Sequence, residues 1–77
     1  MNNSFMTGLF SYLTKAAELG DAGAHYELSV LHREGRVVVR DKKKEWHHLE
    51  EAAIGGHPSA RHNLAYHEHD NGNTTEQ

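Results

Sequence analysis

The chain has 77 residues, which is enough for one small domain and no more. Its formal net charge of −3 excludes nucleic-acid binding through overall charge, and the absence of cysteine excludes disulfides and cysteine metal sites. The N-terminal segment lacks the positive charge of a signal peptide, and no apolar run is long enough to cross a membrane. We therefore expect neither a nucleic-acid nor a membrane partner, and a cytoplasmic location by default.

Apolar residues recur at steps of three and four residues in four segments, a spacing that predicts four helices. The predicted bounds are residues 5–19, 22–33, 41–55 and 58–69, and the polar residues 70–77 are expected to form a frayed tail. Gly20 and Gly56 are predicted to end the first and third helices. Asp21 and Asp41 are predicted to cap the second and third.

One segment of the chain occurs twice. The sequence LTKAAELGDAGA, from Leu13 to Ala24, returns as LEEAAIGGHPSA, from Leu49 to Ala60, at an offset of 36 residues. The matched positions hold apolar or small residues, whereas the positions between them differ. This pattern predicts an all-α fold of about four antiparallel helices, with one full 36-residue repeat and partial repeats on either side.

A spaced set of residues follows this repeat in order: Ala24, Leu28, Gly35, Val38, Asp41, Lys44, Leu49, Ala52, Ala53, Gly56 and Ala60. The set resembles the motif of the Sel-one-like repeat, an α/α solenoid family related to tetratricopeptide repeats. The family usually has Tyr at His32, a second loop Gly at Val37 and an aromatic residue at His48. The resemblance implies a single domain over residues 1–77, folded as a right-handed α/α superhelix. It also implies an adaptor or scaffold that binds protein partners without catalysis.

The predicted binding face lies on the helices at residues 22–33 and 58–69, each of which is the first helix of a repeat unit. It lies on the side of these helices away from the residues that pack against other helices. Its members are Tyr26, Glu27, Val30, Arg33, Asn63, Tyr66 and His69. We predict that this face binds a protein or peptide partner; the alternative, that these residues cover the helix surface or meet another repeat, stays open. Solenoid ends need capping, so Ala60 and Leu64 are expected to face solvent or a second chain, which predicts self-association.

Histidine is unusually frequent, with eight residues: His25, His32, His47, His48, His57, His62, His67 and His69. No two of them have the spacing of three or four residues that places two ligands on one helix face. The nearest cluster offers His67, His69 and Asp70 to an adventitious metal ion. We predict no metal and no other cofactor. A histidine-rich metal-binding or pH-responsive protein is the alternative function, because histidine changes charge between about pH 5 and 8.

The one basic run is RDKKK, Arg40 to Lys44, which leaves contact with an acidic partner open. Trp46, which follows it, is expected to be half-buried or in the core rather than to serve as a stacking platform. The sequence contains no nucleophile elbow and no Gly-rich phosphate loop, and its adjacent carboxylates Glu50 and Glu51 point to different sides of a helix. We therefore predict that the chain is not an enzyme.

Overall fold

The computed structural model describes residues 4–70, which form four α-helices in the order α1 (Ser4–Glu18), α2 (Ala22–Glu34), α3 (Lys42–Ile54) and α4 (Pro58–Asp70). The predicted all-helical fold with four helices is confirmed, and the described residues contain no strand. Each helix boundary lies within one residue of its predicted position, a difference that is common at helix ends. Asp70 belongs to α4, and the rest of the predicted frayed tail lies outside the described residues.

The helices pack in chain order, α1 on α2, α2 on α3 and α3 on α4, and the contact between α2 and α3 is the most extensive. The resulting stack is elongated, with extents of 47 × 25 × 16 Å. Within residues 4–70, none of the helices combines the length and the apolar character that crossing a membrane requires.

Two small apolar clusters form the core. The first cluster joins α1 to α2 and contains Leu13, Ala17, Ala24 and Leu28. The second joins α3 to α4 and contains Leu49, Ala52 and Ala60. Alanine at a helix crossing lets two backbones approach closely, which explains why the repeated positions hold small residues.

The expectation that Ala60 faces solvent or a second chain is wrong, because Ala60 is fully buried in the second cluster. Leu64 is half-buried and packs against that cluster, so the expectation holds for it only in part. α3 therefore covers the apolar side of α4 at Ala60 completely and at Leu64 partly.

The turn between α1 and α2 has the same backbone hydrogen bonds as the turn between α3 and α4. The N–H of Gly20 donates to the carbonyl oxygen of Ala17 at 2.8 Å, and the N–H of Gly56 donates to that of Ala53 at 3.0 Å. Both glycines have positive φ, +94° and +91°, a left-handed conformation in which Gly avoids the steric cost of a side chain. The 36-residue sequence repeat is therefore also a repeat of turn geometry.

The helix that follows each turn is capped at equivalent positions by different side chains. Asp21 caps α2, since its carboxylate accepts the N–H of Ala24 at 3.2 Å. At the start of α4, the ring nitrogen Nδ1 of His57 accepts the N–H of Ala60 at 3.3 Å. An imidazole thus takes the place of the carboxylate, which the pattern of cap residues in the sequence does not predict.

The loop between α2 and α3 begins at Gly35, which has a φ of +71° and donates its N–H to the carbonyl oxygen of Leu31. Val37, where the Sel-one-like resemblance leads us to expect a second loop glycine, has a negative φ, so the loop adopts a conformation that does not strain a β-branched residue. Asp41 ends the loop and caps α3 as predicted, because its carboxylate accepts the N–H of Lys44 at 3.0 Å.

Candidate functional site

Tyr26 does not lie away from the packing residues as predicted. Its ring is half-buried, packs against the second cluster and stacks on His57 with the ring centroids 4.5 Å apart. The side-chain amide of Asn63 donates to its hydroxyl at 3.5 Å. Two members of the predicted binding face are thus brought together, but in a contact that joins α2 to α4 inside the chain.

The other members of the predicted face have varied environments. Glu27 and Arg33 are exposed on α2, Val30 is half-buried, and Tyr66 is exposed on α4. The side chain of His69 lies outside the described part of the structure. A partner-binding role for these residues stays a prediction.

A cleft with a volume of about 510 Å³ lies where the end of α2, the loop after it and the start of α3 approach α4. We call it the basic cleft, and it is lined by Arg33, Arg40, Lys42, Lys43, Glu45, Trp46 and His67. Four of these seven side chains are positively charged and one is negatively charged, although the whole chain has a net charge of −3. Positive charge is therefore concentrated at this end of the molecule.

Trp46 connects the basic cleft to the core. It is half-buried as predicted, packs against the second cluster and also lines the cleft. The ring of His67 on α4 meets it edge to face, with the centroids 5.8 Å apart and an interplanar angle of 72°. The indole is therefore packed from two sides and forms an aromatic wall of the cleft.

The lysines of the basic cleft occupy the first turn of α3, where the helix dipole disfavours positive charge by a few tenths of a kcal/mol each. Asp41 partly offsets this cost. The backbone N–H of Lys44, which donates to its carboxylate, holds the pKa of Asp41 below its usual value. The lysines thus remain at an unfavourable helix position, next to a carboxylate that is committed to the cap.

Four histidines meet between α2 and α3, and we call them the histidine cluster: His25, His32, His47 and His48. Nδ1 of His25 lies 2.9 Å from Nδ1 of His48, within hydrogen-bonding distance. The rings of His32 and His48 stack with their centroids 5.9 Å apart, and the rings of His47 and His48 meet edge to face with their centroids 5.0 Å apart. Sequence analysis missed this cluster because it compared histidines within single helices, whereas these residues meet across a helix contact.

A hydrogen bond between two imidazole nitrogens needs one donor and one acceptor, so at least one of the two Nδ1 atoms must lack a proton. Burial, together with the neighbouring His25 and His47, lowers the pKa of His48 to about 4. At neutral pH His48 is therefore uncharged.

His32 is the most buried member of the cluster, with 6% of its surface exposed, and its Nδ1 has no hydrogen-bond partner within the described residues. It stands where the Sel-one-like family usually has Tyr, and the ring of Phe10 meets it edge to face. Glu18 of α1 and Lys44 of α3 line the same groove as the cluster. A change of charge in the cluster would therefore act directly on the packing of three helices.

Among the residues that the structure describes, no three His, Asp or Glu side chains are arranged to hold a metal ion. Of the candidate cluster at the end of α4, only the side chain of His67 is described, and it contacts Trp46 and Tyr66. The geometry of the histidine cluster supports the sharing of a proton between His25 and His48.

Comparison with known proteins found no family model, no characterised protein and no solved structure that matches the chain. Membership of the Sel-one-like repeat family therefore stays a prediction from the spaced residues.

Proposed function

We propose that the chain is a protein-interaction module that binds an acidic peptide segment of a partner protein in the basic cleft. The observation that carries this proposal is the concentration of four cationic side chains around an indole in a chain with negative net charge. The cations attract a carboxylate-rich segment and orient it as it approaches. The Trp46 wall supplies the apolar contact that holds the segment in place.

The proposal includes the architecture that the resemblance implies, a right-handed α/α superhelix that serves as an adaptor or scaffold. Two features support it: the helices pack in chain order, and the two turns have the same hydrogen bonds at an offset of 36 residues. Arg33 belongs both to the predicted binding face and to the basic cleft. The cleft thus contains one residue of the predicted binding face, Arg33, together with three residues of the basic run, Arg40, Lys42 and Lys43. Contact of that run with an acidic partner was left open by the sequence analysis.

Fluorescence anisotropy with a labelled peptide of about 12 residues, rich in Asp and Glu with one central Leu, tests the proposal. The double variant Arg33→Glu/Lys43→Glu should bind at least about tenfold more weakly, because two attractions become repulsions. Lys15→Glu is the matched control, since Lys15 is exposed on α1 and lies outside the cleft. Raising the salt concentration should weaken binding to the unmodified chain.

A peptide of the same length with Lys in place of Asp and Glu provides the second control. Equal affinity for the two peptides, or unchanged affinity in the double variant, would refute an acidic-peptide site. A single-stranded oligonucleotide of about 12 bases should compete only weakly, because the cleft has one aromatic wall and not the row of stacking platforms that bases require. Tighter binding of the oligonucleotide than of the acidic peptide would assign the cleft to nucleic acid instead.

The second candidate function is a pH-responsive protein, and the hydrogen bond between His25 and His48 favours it. Protonation of both rings would remove the acceptor and place like charges at 2.9 Å, which would weaken the contact between α2 and α3. Thermal unfolding followed by circular dichroism, with chelator and with zinc, separates this function from metal binding. A pH-responsive protein unfolds at the same temperature in both, whereas a metal-binding protein is stabilised by zinc.

A further inference from the structure

α1 carries an apolar stripe that no other part of the described chain covers. Phe5, Tyr12 and Leu19 are 78%, 68% and 89% exposed. They are spaced at seven residues, which is two helical turns, so they lie along one side of α1 and its final turn. An aligned set of exposed large apolar side chains is typical of an interaction surface.

The repeat shows what covers this side of a helix. At the 36-residue offset, Tyr12 corresponds to His48 and Leu19 to Gly55. In α3 this side faces α2: His48 is hydrogen-bonded to His25 of α2, and a Cβ added to Gly55 would lie 2.8 Å from the Cβ of Ala22 of α2. The side that α1 leaves open is therefore the side on which its counterpart α3 packs against the preceding helix.

α4 leaves open the complementary side. At the same offset, His25 corresponds to Arg61 and Tyr26 to His62. His25 and Tyr26 of α2 are half-buried, because His25 contacts His48 of α3 and Tyr26 stacks on His57. In contrast, their counterparts Arg61 and His62 and the neighbouring Ala65 are all exposed. Within residues 4–70, the stack of helices therefore has one uncovered side at each end, and each of these sides has the geometry that the other end would need.

We propose that α1 of one copy of this chain docks on α4 of a second copy in the arrangement that α3 adopts on α2. This surface is separate from the basic cleft, because none of the α1 stripe or the exposed α4 residues lines that cleft.

Charge complementarity supports a second copy as the occupant. The contact between His25 and His48 becomes, at the junction of two copies, a contact between Arg61 and Tyr12. A guanidinium over an aromatic ring is an attractive pair that is commoner than its lysine equivalent. The stacked pair of Tyr26 on His57 becomes His62 on Asp21, which places an imidazole next to a carboxylate.

The junction cannot copy the internal contact at every position. A Cβ added to Gly55 would lie 2.8 Å from the Cβ of Ala22, so these two backbones approach closely. Their counterparts at the junction are Leu19 and Pro58, which are larger. The helices must therefore diverge at this end, and Leu19 fills the wider gap that results.

This contact joins two different surfaces, so it is heterologous and leaves one free α1 and one free α4 in every dimer. Association should then continue with concentration to trimers and longer chains rather than stop at a symmetric dimer.

Sedimentation equilibrium or light scattering over a range of concentrations tests the proposal. The mass of the unmodified chain should rise above the monomer mass of 8.7 kDa. Tyr12→Ala and Arg61→Glu should each remain monomeric, because Tyr12→Ala removes the ring that meets Arg61 and Arg61→Glu removes the cation that meets Tyr12. An equimolar mixture of the two variants should form a dimer and nothing larger, since each retains the surface that the other lacks. Thr7→Glu and Ser59→Glu, exposed on α1 and α4 but off these surfaces, should associate like the unmodified chain.

Three results would overturn the proposal: a constant mass of 8.7 kDa for the unmodified chain at all concentrations, association by either single variant, or a monomeric mixture. Association that is lost in Tyr12→Ala but retained in Arg61→Glu would indicate a symmetric contact between two α1 helices or a different partner surface. Circular dichroism checks that each variant is folded, and Phe5→Glu replaces Tyr12→Ala if that variant loses helix.

Discussion

α3 packs between two helices, α2 and α4, whereas its counterpart α1, 36 residues earlier, packs mainly against α2. The turns that follow the two helices have the same hydrogen bonds, so this difference does not originate in the turns. It is visible in burial: Ala52 is fully buried, and its counterpart Ala16 is only half-buried. In the following comparisons, the first unit is the helix pair α1 and α2, and the second unit is α3 and α4. Residues within a unit thus determine the geometry of its turn, and the neighbouring unit determines which of its side chains are buried.

The largest test of this comparison replaces equivalent leucines in the two units. Leu28 is 1% exposed, whereas its counterpart Leu64 is half-buried. We expect Leu28→Ala to lower the free energy of unfolding by about 3 kcal/mol, because a buried cavity adds to the lost apolar contact. Leu64→Ala should cost about 1 kcal/mol, since solvent fills the space that the side chain leaves. Urea denaturation measures both.

Equal losses of unfolding free energy in Leu28→Ala and Leu64→Ala would show that the neighbouring helices do not make the two positions energetically different. A variant that is already unfolded without urea would also answer the question, because only the Leu28 position is expected to have that effect. Far-ultraviolet circular dichroism at low temperature distinguishes a folded, weakened chain from an unfolded one.

The turn glycines provide the next test, because here the two units should respond alike. Gly20→Ala and Gly56→Ala should each cost about 1–2 kcal/mol, the steric cost of a left-handed conformation for a residue with a Cβ. A Cβ at either glycine would meet no atom within 4 Å, so the cost comes from the backbone alone and should be equal. Gly8→Ala is the control: it lies within α1 with open space around it and should stabilise the chain by up to about 1 kcal/mol.

Chemical denaturation of the three glycine variants supplies the numbers. A loss at Gly56 that clearly differs from the loss at Gly20 would mean that the shared hydrogen bonds do not reflect shared energetics. The two turns would then be alike in geometry only.

The third test uses pH and the histidine cluster, which lies at the contact of α2 with α3. The pKa of His48 is lowered from 6.5 to about 4 in the folded chain, so the unfolded chain takes up the proton first as pH falls. Stability is therefore complete above about pH 6.5 and decreases toward pH 4. We expect a loss of about 1 kcal/mol from this group after allowance for solvent screening of a half-buried ring.

Thermal melts between pH 7 and pH 4 measure this loss, which corresponds to a decrease of roughly 4–8 °C in the midpoint. His48→Gln should reduce the decrease, and His62→Gln, at an exposed position on α4, should leave it unchanged. An unchanged pH dependence in His48→Gln would show that His48 is not the source of the transition.

The sequence predicts the features that depend on neighbouring residues in the chain. The helix bounds follow from apolar spacing, the left-handed turns from Gly20 and Gly56, and two caps from aspartates. The packing role of Tyr26 could not be predicted, because it depends on how far α2 rotates when α3 and α4 dock on it. The same holds for the basic cleft and the histidine cluster, whose members come from separate helices and meet only after packing.

The smallest expected effect concerns the caps, where the two units use different side chains at the same position. Asp21→Ala should cost about 0.5 kcal/mol, near the low end for a cap, because Asp21 is exposed and its bond to the N–H of Ala24 is 3.2 Å long. Asp21→Asn, the control, should cost no more than a few tenths of a kcal/mol, since an amide oxygen accepts the same bond.

Asp21→His makes the first turn resemble the second, where His57 accepts the equivalent N–H at 3.3 Å. We expect this variant to lie between the other two, as measured by replicate urea midpoints. If Asp21→His instead loses as much as Asp21→Ala, an imidazole does not act as a cap in this turn. The shared geometry of the two turns would then depend on their glycines alone, and His57 would contribute to the second unit only by stacking on Tyr26.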